Sequence, residues 1–133
     1  MSSFHLKILN IDRLFFEGDV EMLVARTVGG DVGIMKGHAD LIAALDFGVL
    51  RIKTGEGEKR AAVSRGMLVV DRFGAAVITS RSEWADEIDL PRALEQKREA
   101  ERELERAKSK HEHDMAEFRL KRALNRINSK NRY

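Results

Sequence analysis

The sequence contains no cysteine and one proline among its 133 residues. Without thiols there is no disulfide, no thiolate metal site and no cysteine nucleophile, a composition that suits a reducing compartment. The one proline, Pro91, falls where a helix can begin and where its missing N–H is no loss. Nowhere do about 18 apolar residues run together. The opening residues 1–7 lack the basic stretch and apolar segment of a secretory signal. A soluble, cytosolic chain is expected, with any membrane association peripheral. Charge of one sign is lacking too. Lys+Arg 24 against Asp+Glu 22 leaves a net +2, too balanced for the chain as a whole to be a nucleic-acid binder. The 43% hydrophobic content is enough for a core. The length fits one ordinary domain, or one small domain with an appendage that buries little surface by itself.

Two regions with different periods follow one another. From residue 4 to about 82 the pattern is short, β-rich and punctuated by glycine, with strands expected over 4–10, 19–27, 41–45, 49–54, 59–64, 67–72 and 75–80. In Gly48-Val49-Leu50-Arg51-Ile52-Lys53 the apolar Leu50 and Ile52 share one face while Arg51 and Lys53 share the other, as a half-buried antiparallel strand requires. Residues 54–58 read as a hairpin loop, and Gly66 and Gly74 as turn positions that permit positive φ. The count of strands predicts a sandwich.

After Trp84 the composition changes to Ala, Leu, Glu, Lys and Arg with apolar residues at three- and four-residue spacing. Leu90, Ala93, Ala100, Leu104 and Ala107 form one stripe, interrupted at Lys97, and Ala116, Leu120, Ala123 and Ile127 form a second. Asp89 is the expected cap of the first helix, and Asp114 with Glu117 the expected capping box of the second, leaving residues 109–113 as the bend. Glu95/Arg98, Glu99/Arg102, Glu103/Arg106 and Glu117/Lys121 place opposite charges on adjacent turns. The expected architecture is α+β, an N-terminal antiparallel β-sandwich over 1–84 followed by a C-terminal antiparallel two-helix hairpin over 85–133. Alanine seams bury little area, so the hairpin is expected to be marginal when undocked. Trp84, at the junction, is expected to pack hairpin against sandwich.

Three stretches carry a family resemblance. Gly33-Ile34-Met35-Lys36-Gly37-His38-Ala39-Asp40-Leu41 is similar to a G-I-x-P-G-H-x-x-L segment, with Lys36 at the proline position. Gly48-Val49-Leu50-Arg51-Ile52 and Gly66-Met67-Leu68-Val69-Val70 are similar to G-x-x-x-I and G-G-x-x-E-V strands, with Arg65 and Val69 as departures. Ile88-Asp89-Leu90-Pro91-Arg92-Ala93 precedes a charged helix and then Ala123-Leu124-Asn125-Arg126-Ile127. Together these resemble the epsilon-subunit family of bacterial and chloroplast F-type ATP synthases over residues 6–127.

The resemblance implies a non-catalytic rotor part at the cytoplasmic face of the cell membrane. Its sandwich holds the gamma subunit and touches the membrane rotor c-ring, with Asp31 and His38 as candidate ring contacts. It also implies a hairpin that either rests compactly or extends to the alpha and beta subunits and blocks hydrolysis. Some bacterial members bind ATP through an I/L-D-x-x-R-A motif and arginines of the second helix, matched here by Ile88, Asp89, Arg92, Ala93, Arg122 and Arg126, with Glu83 also matching. Arg122 and Arg126 are four residues apart and share a helical face with donors suited to phosphate. Where nucleotide-binding members carry a further arginine this chain has Glu99, with Arg98 about 100° round the helix. ATP is thus a candidate regulatory ligand, no cofactor is required, and neither a P-loop nor hydrolytic machinery is present. His38 stands beside no Ser or Cys nucleophile in a known motif, so no catalytic residue is assigned. His111 and His113 are read as bend residues, and no metal site is assigned.

From Phe118 onward Arg119, Lys121, Arg122, Arg126, Lys130 and Arg132 meet no acidic residue. This basic tail suits either nucleic acid or an acidic surface on the beta subunits, and the resemblance implies the second. The competing class is a stand-alone β-sandwich whose basic hairpin recruits a partner or nucleic acid.

Overall fold

A computed structural model describes residues 2–131. The chain divides between Trp84 and Ala85 into two compact units.

The first unit holds strands β1 (Phe4–Leu9), β2 (Leu14–Val20), β3 (Met22–Thr27), β4 (Gly30–Ile34), β5 (Leu41–Leu45), β6 (Gly48–Thr54), β7 (Gly57–Val63), β8 (Gly66–Asp71), β9 (Gly74–Thr79) and β10 (Ser82–Trp84). They run in the order β10-β7-β6-β3-β5-β8-β9-β1-β2, with β4 on the other edge of β3. The join between β3 and β5 is a single pair, Thr27 with Leu45, so the path folds there into two facing layers. Inward residues of both layers close one core. Leu23, Ala25, Leu50, Ile52 and Ala61 come from one layer, and Leu6, Ile8, Leu68 and Val77 from the other, all fully buried. The expected alternation of β6 holds, with Leu50 and Ile52 inside and Lys53 exposed.

Several expectations need correction. The pairing is antiparallel except for β1 with β9, which run parallel. The strand expected over 19–27 is the end of β2 and all of β3, broken at Glu21. Residues 14–18, 30–34 and 82–84, outside every expected strand, also belong to the sheet. Gly74 does take positive φ, at 139°. Gly66 does not, and is required by close approach instead: a Cβ there would lie 2.0 Å from the Ile78 carbonyl oxygen. The expected packing of Trp84 against the hairpin is left untouched, and within its own unit Trp84 has aromatic partners. It lies 4.5 Å from Phe15 and edge-on to Phe16 at 6.0 Å, with the Lys59 ammonium over its ring.

The second unit is a single 3-10 turn (Ala85–Glu87), α1 (Leu90–Arg106) and α2 (Lys110–Asn131). Asp89 caps α1 as expected, its carboxylate accepting from the Arg92 N–H at 3.1 Å, with Pro91 in the opening turn. The second cap lies elsewhere. Ser109 Oγ accepts from the Glu112 N–H at 3.1 Å, Glu112 Oε2 accepts from the Lys108 N–H at 3.4 Å, and the helix begins before Asp114. The bend is therefore 107–109. Ala93, Ala100, Ala116 and Ala123 are buried along the expected stripes. Glu95 meets Arg102, and Glu103 meets Arg119 across the hairpin, where Arg98 and Arg106 were the expected partners.

Candidate functional site

The nucleotide-motif residues separate into packing and polar roles. Ile88 and Ala93 are buried, so they have packing roles. Asp89 spends one carboxylate oxygen on the start of α1. Arg92 is exposed in the first turn of α1, where backbone N–H groups also favour an anion. Lys130 Nζ donates to the Asp86 carbonyl at 2.8 Å, which sets the end of α2 beside the 3-10 turn. Arg126 Nη1 donates to Gln96 Oε1 at 2.6 Å. Arg92 is one turn before Gln96 on α1, so Arg92 and Arg126 lie within about 6 Å of each other along the helix axis, with Arg122 one turn further. The structure thus brings Asp89, Arg92 and Arg126 to one end of the hairpin. Glu83 lies on β10, in the first unit, paired with Ala62. Arg119, Lys121, Arg122, Arg126 and Lys130 make α2 basic, and Arg132 lies outside the described residues.

The two candidate ring contacts are not brought together. Asp31 is the second residue of β4, opposite Arg26 and 3.4 Å from its Nε, beside the exposed Val28–Gly29 turn. His38 follows the far end of β4, roughly 10 Å of strand beyond Asp31. Its Nδ1 lies 2.7 Å from the Ala39 carbonyl. It lines a groove of about 540 Å³ with Phe4, His5, Asp19, Lys36 and Phe73.

A further surface escaped sequence reasoning. On the outer face of β5, β8 and β9 the register places Ile42 beside Val69, Ala44 beside Met67, Met67 beside Ile78 and Val69 beside Ala76. Ile42 is 69% exposed, Met67 46% and Ile78 47%. The apolar stripe is contiguous, and the charged residues of β1 and β2 rim it. There His5 Nε2 lies 2.8 Å from Glu17 Oε2 and Nδ1 3.5 Å from Asp19 Oδ1, with Lys7 Nζ 3.8 Å from Glu17. The hydrogen bond to Glu17 raises the His5 pKa above 6.5, Asp19 adds to it, and desolvation opposes it. The missed signal was present in the letters: residues 41–45, 67–70 and 75–78 are apolar on both faces, where a one-sided antiparallel strand alternates.

Glycine-cornered sandwich first and helical hairpin second, with a basic second helix and an apolar outer sheet face, define a two-part α+β chain. Residues 3–85 match the family described as ATP synthase, Delta/Epsilon chain, beta-sandwich domain, and residues 86–130 match its long alpha-helix domain. The ATP synthase epsilon chain of Ruminococcus albus is 42% identical over 133 residues, covering 99% of both chains. That of Caldanaerobacter subterraneus subsp. tengcongensis is 41% identical, covering 98% of this chain and 96% of its own. In fold, the chain is similar to a component of the Euglena gracilis mitochondrial ATP synthase OSCP/F1/c-ring structure, with a TM-score of 0.81 at 20% identity over 94% of this chain and 79% of that one. The chain belongs to the epsilon-chain family of ATP synthase.

Proposed function

We propose that this protein is a non-catalytic rotor subunit of an F-type ATP synthase, seated peripherally at the cytoplasmic face of the membrane. Its sandwich grips the gamma subunit, and its hairpin restrains ATP hydrolysis. The observation that carries the first part is the outer face of β5, β8 and β9. A contiguous apolar stripe with a charged rim is the anatomy of a protein interface, and its exposure in the free chain is costly unless a partner covers it. Gamma is the occupant the family supplies. The exposed β3–β4 turn with Asp31 is one contact offered to the polar loops of the c-ring, and His38, past the other end of β4, is the second. No described helix is long and apolar enough to cross a membrane, consistent with attachment through partners.

The regulatory part rests on the marginal alanine seam and the basic α2. In the compact form α2 packs on α1. Extended, its arginines and lysines face acidic surfaces of the alpha and beta subunits. ATP held by Arg92, Arg122 and Arg126 binds the compact form preferentially and shifts the population toward it, without hydrolysis.

Co-purification tests the rotor reading. Expressed with gamma, the chain forms a one-to-one complex that survives high salt, and Ile42→Asp with Met67→Asp disrupts it. Failure to associate with gamma, together with steeply salt-dependent binding to DNA or RNA, would instead support the recruiting-module reading.

A further inference from the structure

The alanines of the hairpin seam do not by themselves define how α1 and α2 are aligned. They recur every seven positions, at Ala93, Ala100 and Ala107 on one side and Ala116 and Ala123 on the other. Sliding one helix along the other by seven residues brings alanine back onto alanine. The sequence also holds a second start for α2. Ser109 with Glu112 caps the helix in this structure, and Asp114 with Glu117 repeats the same pattern five residues later. A bend moved to that start would lengthen α1, shorten α2 and change the register.

Two polar contacts resolve this ambiguity. Arg126 Nη1 donates to Gln96 Oε1 at 2.6 Å, and Arg119 Nη1 donates to Glu103 Oε2 at 2.6 Å. Gln96 and Glu103 are seven residues apart on α1, and Arg119 and Arg126 seven apart on α2, so the contacts are successive rungs of one antiparallel register. Three residues further out on each helix, Ala93 and Ser129 are both fully buried, which continues that register to the end of the hairpin. A slip of seven residues in one direction sets Glu103 against Glu112, two like charges. In the other direction it deprives Gln96 of its arginine.

We propose that Gln96–Arg126 and Glu103–Arg119 form a two-rung register lock that selects one alignment of a seam the alanines leave free. Glu103 and Arg119 are about half exposed, at 46% and 48%, so their rung acts through alignment more than through strength. The Gln96–Arg126 rung is partly buried and is the firmer of the two. The lock belongs to the helical unit alone. What its release does to hydrolysis rests on the regulatory reading above.

Because the chain has no cysteine, spin labels at Glu99→Cys and Asn128→Cys, both exposed, report the register of the full-length protein by pulsed electron paramagnetic resonance. The unaltered lock gives one narrow distance. E103R adds a second population or a shift of about 5 Å per helical turn of slip, with the ratio of registers changed by about two- to five-fold. The charge swap E103R/R119E restores the narrow distance. Should E103R lose helix by circular dichroism, Gln96→Leu replaces it, removing one acceptor while keeping helix propensity. Unchanged distances in E103R and Gln96→Leu, or a swap that fails to restore the distance in a helical protein, overturn the lock whatever the ATPase does. Shifted distances with unchanged ATP hydrolysis in the assembled enzyme support the lock and count against the regulatory reading.

Discussion

His5 stands between two carboxylates on the rim of the apolar face, and its protonation is linked to folding. Its folded pKa is raised above 6.5, chiefly by the hydrogen bond to Glu17. The stabilisation is therefore complete below about pH 6.5, the unfolded value, and fades as pH rises through the folded one. Thermal melts should show His5→Gln least stable relative to the parent near pH 6, with the gap closing as pH rises through the folded pKa. A gap that widens with pH would contradict this account of His5. Among the nucleotide candidates, Arg126 Nη1 donates to Gln96 Oε1, and its charge suits a phosphate. Calorimetry of the isolated protein should register ATP binding that Arg126→Ala and Arg92→Ala each weaken by about ten-fold, the loss of one charge-assisted contact. No heat and no change in thermal midpoint at millimolar ATP would reject nucleotide sensing.

Among the elements, β6 and the two helices were legible because their periods are local: alternation in one, three- and four-residue stripes in the others. Strands β2 and β4 were not, because each carries glycine where a local reading sees a turn. Tertiary contact explains the glycine of β4: a Cβ on Gly33 would sit 3.1 Å from the Met22 methyl on β3, so glycine makes room for a neighbouring side chain, whereas nothing in the packing requires glycine at 18. The start of α2 was misplaced for a different reason, since two capping patterns stand five residues apart and letters alone do not rank them. Ser109→Ala should cost about 1 kcal/mol of helical-unit stability in denaturant unfolding, while Asp114→Ala costs no more than a few tenths. Equal costs, or a larger one at Asp114, would return the bend to 109–113.

For the whole molecule, the composition break after Trp84 and the division between Trp84 and Ala85 coincide. The motif at 88–93 was legible as letters, yet only coordinates separate its packing members, Ile88 and Ala93, from its polar ones. The outer apolar face needed the sheet order, because Ile42, Met67 and Ile78 are distant in sequence and adjacent only through β8. On the proposed function, a gripping sandwich and a restraining hairpin are separable tasks on separable units. ATP hydrolysis by the reconstituted synthase, measured with the full chain and with a chain ending at Ile88, tests that division most directly. The account predicts that the shortened chain still assembles one-to-one with gamma and that hydrolysis rises several-fold over the full-length complex. Equal inhibition by both chains would contradict it.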